Sequence, residues 1–398
     1  MELSRIVRLG HLGDGIAEDG TLHPLTLPGD GIRADDGSRV PSADPIHENP
    51  VCPHFGTCGG CALQHATDAF ISQWKQDVVR RALVARGVKA PLRNMHVSPA
   101  KSRRRVVFSG RRTKKTERVG FHRRGSDEIV ALETCHVILP GMLDLLPVVR
   151  SLVRLGVSRS REVKVSLTAS DGGWDIDVRE AKSLDGPLRE ELARQARRAD
   201  LARLSWNGEA VVVLRPPVQR FGTAQVVPPP GAFLQATTDA EAFLVSAVQR
   251  AVGDATRVAD LFCGCGTFAL PLAAGAEVLA VEAEQSYLDA LDAGWRGADA
   301  LRKVTTARRD LFRRPVLASE FKGIDAVVID PPRAGAEAQM HEVAGSDIAS
   351  VAAVSCHPVS FARDAAILVG AGFGLDWIDI VDQFRWSPHV ELVARFSR

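Results

Sequence analysis

Residues 258–273 read VADLFCGCGTFALPLA. An apolar strand runs into a turn carrying Gly264 and Gly266, and an Ala-rich helix follows. Glycines at that place let the backbone approach a ligand at the strand's C-terminal end. Twenty residues past Phe262, Glu282 closes the next apolar strand, VLAVE, where an acid suits a ribose diol. The third glycine of a dinucleotide fingerprint is missing and Phe268 stands nearby. The D-x-x-x-G-x-G turn with its acid therefore fits an S-adenosylmethionine site better. Cys263 and Cys265 read as small fillers, because a C-x-C pair alone is weak evidence for a metal.

Working outward, RVADLF, EVLAVE, KVTTAR, IDAVVID and ASVAAVSC are short strands that alternate with Ala-rich helices. That pattern predicts an α/β, Rossmann-like, doubly wound parallel sheet. The fourth strand ends in VVIDPPRAG (327–335), which places Asp330 at the carboxyl edge where ligands sit. The fifth ends in VSCHP (354–358) and brings Cys356 to the same edge. A structural cysteine belongs more naturally inside a strand, so the position favours a nucleophile.

Upstream the pattern differs. Residues 1–48 alternate short apolar pieces with the turn signals Gly13-Asp14-Gly15, Asp19-Gly20 and Gly29-Asp30-Gly31, which predicts a small β-barrel. GHLGDGIAEDG and TLPGD resemble the TRAM-type RNA-binding barrel, in a compact form with nine acids and four Arg in residues 1–50. Residues 66–87 carry a helical stripe ending at Gly87. Residues 100–225 read mostly as strands, with helical pieces at 139–156, broken by Pro147, and at 186–204. VVPPPGAF (226–233) reads as a hinge before a helix at 238–252. The expected division is 1–48 barrel, 49–230 central RNA-binding unit and 231–398 catalytic unit. At 398 residues, two or three domains are expected from ~100–200 residues each.

A 45% hydrophobic and 25% charged composition is that of a globular protein. No run approaches the ~18 apolar residues of a membrane span. No signal-peptide core opens the chain, so a cytoplasmic, monomeric protein is expected. Thiols stay reduced there, and the seven Cys read as ligands, nucleophiles or core residues. The net charge of +2 is uninformative, but residues 101–124 hold eleven Lys/Arg and one Glu. On strand-like pieces such a run suits a phosphate backbone.

Taken as a set, DLFCGCGTF, IDPPRAG, VSCHP and the terminal SPHVELVARFSR resemble the RNA uracil-5-methyltransferases of ribosomal and transfer RNA. Cys52, Cys58, Cys61 and the distant Cys135 extend the resemblance over nearly the whole chain. It implies a class I S-adenosylmethionine-dependent domain and a [4Fe–4S] cluster on those four Cys, a reasonable four-thiolate set. Zinc, with His54 or His65 competing as ligand, and no metal at all are the alternatives. The resemblance implies Cys356 as the nucleophile that adds to uracil C6 and Glu391 as the base that removes the C5 proton. It implies Gln235, Phe262, Thr267, Glu282, Asp310 and Asp330 as the cofactor shell. His357, Thr267 and Thr237 stand where the family usually has Asn, and FRWSP replaces the usual FPHT.

The target uridine must be unpaired or flipped out, since a stacked base hides C6. Trp386, close to Glu391, reads as a stacking surface or a core aromatic. The compact barrel favours ribosomal over transfer RNA. RNA cytosine methylation is disfavoured, because those enzymes carry a Cys directly after the Pro of the fourth-strand motif. An Fe–S RNA-binding protein without catalysis would predict a degraded cofactor turn, which DLFCGCGTF is not.

Overall fold

The computed structural model describes residues 3–114, 116–158 and 161–398. Met1 and Glu2 of the expected barrel and Lys115 of the basic run lie outside them. The largest sheet has eight strands, which we number along the chain: β1 (Leu92–Val97), β2 (Arg257–Leu261), β3 (Glu277–Glu282), β4 (Val304–Arg308), β5 (Ala326–Ile329), β6 (Ser350–Ser355), β7 (Gly374–Asp382) and β8 (Glu391–Ser397). They lie in the order β4-β3-β2-β5-β6-β8-β7-β1. β2 to β6 are parallel, and β8 runs antiparallel to β6 and β7. All of Ala326–Ile329 is buried, as expected for a strand covered on both faces. Strand order reverses between β2 and β5, and that switch point opens a crevice at the strands' carboxyl ends.

Helices cover the sheet. α1 (Asp68–Val84) is capped by Thr67, whose side chain accepts the Phe70 N–H, and buries Ile71, Trp74, Lys75, Val79 and Leu83. α2 (Thr238–Val252) is capped by Thr237 in the same way and ends at Gly253, whose φ is +60°. α3 (Pro358–Gly370) begins with His357 accepting the Ser360 N–H at Nδ1, 3.3 Å.

Residues 105–213 form a second sheet of seven strands, predominantly antiparallel. Helices Leu146–Gly156 and Gly186–Arg198 contribute Val149, Leu152, Val153, Leu188 and Leu192 to its core. Pro147 opens the second of two consecutive helices instead of breaking one, since its missing N–H costs nothing in a first turn. Five short strands between Leu3 and Val40 form an antiparallel sheet. Its edge strands Leu22–His23 and Arg39–Val40 do not pair with each other among the described residues, so in place of the expected barrel there is an open five-stranded sheet.

Three further sets of contacts bear on the expected organisation. Within the 49–230 segment, β1 pairs in parallel with β7 and extends the catalytic sheet. The 226–233 hinge is pinned: Arg179 donates to the Pro230 carbonyl, Arg105 to the Gly231 carbonyl, and the Phe233 N–H to the Tyr287 hydroxyl. The basic run is partly paired within the chain. Arg104 is buried on Glu241, and Arg111, Arg118, Arg123 and Arg124 pair with Glu162, Glu128, Glu128 and Asp14. Lys101, Lys114, Arg118, Arg123 and Arg124 remain exposed.

Candidate active site

The crevice at the switch point is a cavity of about 490 Å³. Gln235, Phe262, Thr267, Glu282, Asp310, Asp330, Cys356 and Glu391 all line it. The sequence-predicted side chains thus meet although they come from seven separate stretches of chain. Phe233, Tyr287, Arg309, Phe312 and Arg333 are also part of the wall.

The glycine turn is held open by its own backbone. Phe262, Gly264 and Gly266 have φ of +61°, +54° and +95°. A Cβ on Gly266 would come within 2.9 Å of the Leu270 side chain, so this position needs glycine for space as well as conformation. Glu282 accepts the Gly264, Ala283 and Glu284 N–H groups at 3.2, 2.6 and 3.1 Å. Below the turn, Asp260 is fully buried. Its carboxyl makes no hydrogen bond of ordinary geometry, and burial, with Asp330 next, pushes it well above the usual range. Cys263 and Cys265 are buried fillers whose thiols burial pushes up.

Opposite the turn, three carboxyl-edge groups face one another. Glu391, at the start of β8, is 3% exposed. Burial and the neighbouring Asp330 raise its carboxyl, and burial raises Asp330 in turn. Cys356 follows β6 directly. Burial, then Glu391 and Asp330, push its thiol up to about 11, with the Arg333 cation acting against them. Arg333 also contacts the His389 ring at 3.2 Å. Burial, then Arg333, hold His389 down at about 4.

Sequence reasoning missed Gln383. It is 2% exposed at the end of β7 and bonds both Gln235 and Glu391. A glutamine at a strand end carries no burial signal. Tyr287, the chain's single Tyr, was equally silent. Trp386 is 7% exposed and packs with Leu63, Ile71 and Trp74, so it is a core aromatic and not a stacking surface.

A second cavity, of about 580 Å³, is lined by Cys52, Cys58, Cys61 and Cys135 together with Arg103, Arg105, Phe384, His389 and Arg333. Arg333 therefore borders both cavities. Burial raises the Cys58 thiol and takes Cys61 to about 12, and the other thiols of the set add to both shifts. The Gly60 N–H points at the Cys58 sulfur, 3.4 Å. Among the described residues, no three His, Cys, Asp or Glu side chains converge closely enough to hold a metal ion. The Ala62 and Leu63 N–H groups, next to Cys61, both donate to the Trp386 carbonyl at 2.8 and 3.0 Å. The cysteine loop thus braces the segment that leads to Glu391.

No family model matches the chain. An uncharacterized RNA methyltransferase of Rhizobium meliloti is 40% identical over 99% of this chain and 98% of its own length. A 23S rRNA (uracil(1939)-C(5))-methyltransferase of Halomonas elongata is 31% identical over 96% of this chain and 86% of its own length. Among solved structures, the Pyrococcus abyssi tRNA (uracil-54, C5)-methyltransferase in complex with S-adenosyl-L-homocysteine superposes with a TM-score of 0.76. It covers 99% of each chain at 22% identity, a likeness of fold.

Proposed function

The chain belongs to the RNA uracil-C5 methyltransferase family, and on that premise we propose that it methylates C5 of a uridine in structured 23S rRNA through a covalent Cys356 adduct. The observation that carries this reading is the convergence of Cys356, Glu391 and six further expected residues on one cavity at the sheet's switch point. Gln235, Phe262, Thr267, Glu282, Asp310 and Asp330 would hold S-adenosylmethionine, which supplies an electrophilic methyl group when bound.

The chemistry follows from the residues. Uracil C5 is a poor nucleophile. The Cys356 thiolate adds to C6 and makes C5 enolate-like, so that C5 can take the methyl group. C5 then carries both a proton and a methyl. Glu391 removes the proton, the C5–C6 double bond reforms, and the thiolate leaves with its electron pair. A buried carboxyl with a raised pKa is suited to accepting a proton near neutral pH. The uridine reaches Cys356 only when unpaired or flipped, as in loops and bulges of folded RNA.

Cys52, Cys58, Cys61 and Cys135 are assigned to a [4Fe–4S] cluster. Four thiols around one cavity and an N–H···S contact support thiolate ligation. The bracing bonds to Trp386 give the cluster a structural part, ordering the loop before Glu391. By role we divide the chain into 1–48 and 49–230, which engage RNA and hold the cluster, and 231–398, which carries catalysis. No helix among the described residues is long and apolar enough to cross a membrane, in keeping with work on RNA in the cytoplasm.

The ribosomal target rests on the Halomonas relative, since the transfer-RNA enzyme shares only the fold. The test is mapping of 5-methyluridine in ribosomal and transfer RNA from a deletion strain. Loss of one 23S site with intact transfer RNA is expected. Loss confined to transfer RNA would overturn the assignment.

A further inference from the structure

We propose that Gln383 is a positioning residue that holds Glu391 in its proton-accepting form and aims one particular oxygen at the substrate. The proposal rests on the reading of Glu391 as the base. Gln383 does not line the cavity; it sits behind it, 2% exposed, and makes three hydrogen bonds of 2.7 Å.

Those bonds fix the orientation of the amide. The Ala236 backbone N–H can only donate, so it must meet the Gln383 oxygen. The Gln383 NH₂ group therefore faces the other two partners, Gln235 Oε1 and Glu391 Oε2. With its oxygen engaged, Gln235 turns its own NH₂ towards Asp330 Oδ2, 3.5 Å away. The result is a directional relay from the base to the cofactor side of the cavity.

Two consequences follow for Glu391. A donated N–H stabilises the carboxylate over the acid. It also occupies Oε2. Among the described residues Oε1 takes no hydrogen bond, so Oε1 is the oxygen left to receive the proton from C5. The charged groups facing Glu391 are Asp330 after β5, Cys356 after β6 and Arg333 in the β5–β6 connection. Asp330 opposes ionisation of Glu391 and Arg333 favours it. Gln383 is the neutral partner that favours the anion without adding charge to a site that must also admit uracil.

The test is the pH dependence of adduct release in Gln383→Met, which keeps length and loses the donor. Gln383→Leu, of different shape, guards against a packing artefact. Enzyme is mixed with radiolabelled S-adenosylmethionine and bulk RNA from cells lacking the enzyme, and the labelled protein–RNA adduct is followed on denaturing gels. In both variants the acid limb of release should move up by about one pH unit, the loss of one hydrogen bond to a charge. Release below that limb should slow about tenfold. Formation of the adduct, which does not use the base, should not change its pH dependence. Glu391→Gln is run in parallel. Release at the wild-type rate there would overturn the base assignment and this proposal with it. Slow release there, with an unmoved limb in both Gln383 variants, overturns the role of Gln383 alone.

Discussion

Among the described residues, Lys75 is the largest charged side chain with no exposed surface, and its removal has a calculable cost. It sits on the inner face of α1 with no exposed surface, and its Nζ lies 2.6 Å from Asp382 Oδ1, a carboxyl 2% exposed at the end of β7. The same ammonium donates to the Phe384 carbonyl at 3.3 Å, and Asp382 also accepts the Phe384 N–H at 3.1 Å. Burial pulls the Lys75 pKa down even with Asp382 beside it. Such a pair adds little net stability when formed, but losing one partner strands the other in the interior. Lys75→Met should therefore cost ~3–5 kcal/mol, a large share of the ~5–15 kcal/mol of a typical domain. The double variant Lys75→Met/Asp382→Asn removes the stranded charge and keeps an acceptor for Phe384. Its cost should fall to ~1–2 kcal/mol. The assay is reversible urea unfolding followed by tryptophan fluorescence, with Trp74 one residue away as reporter. A Lys75→Met cost under ~1 kcal/mol, or single-variant costs that add within ~0.5 kcal/mol, would refute the reasoning.

Three further outcomes are expected. With its thiol at about 11, Cys356 should be alkylated by iodoacetamide ~tenfold faster per pH unit between about pH 7 and 10, because only the thiolate attacks; a plateau near pH ~8.5 on peptide mass spectrometry would contradict this. Reversing Lys101, Arg112 and Lys114 to Glu should flatten the salt dependence of RNA binding, the log–log slope falling by ~0.7 for each phosphate no longer neutralised, with S-adenosylmethionine affinity unchanged; an unmoved slope makes this face a solvated surface. Protein purified without oxygen should be brown and contain iron, and Cys61→Ser should lose both; colourless anaerobic protein with one zinc would contradict the cluster.

The parallel part of the fold was legible because several of its strands end in a residue that chemistry needs. Glu282, Asp330 and Cys356 mark the carboxyl edge, and the glycines of 264 and 266 mark the turn. β1 was not legible. LRNMHV is an edge strand with no fully buried residue, and its partner lies near the other end of the chain. The pairing within the basic run was hidden for a similar reason. The acids that absorb Arg104 and Arg124 lie 137 and 110 residues away, beyond any local pattern. Gln383 was hidden because an amide is polar in any sequence scale, and only the three partners folded around it reveal that it is buried.

The most direct test of the account is the denaturing-gel behaviour of Cys356→Ala and Glu391→Gln beside the wild type, with labelled S-adenosylmethionine and RNA. Without the thiol nothing can add to C6, so Cys356→Ala should bind the cofactor, transfer no methyl and form no adduct. Without the carboxylate, addition and transfer proceed but the C5 proton stays, so Glu391→Gln should accumulate a methylated protein–RNA adduct. The double variant should show none. A denaturation-stable adduct in Cys356→Ala, or near-wild-type turnover in Glu391→Gln, would contradict the account.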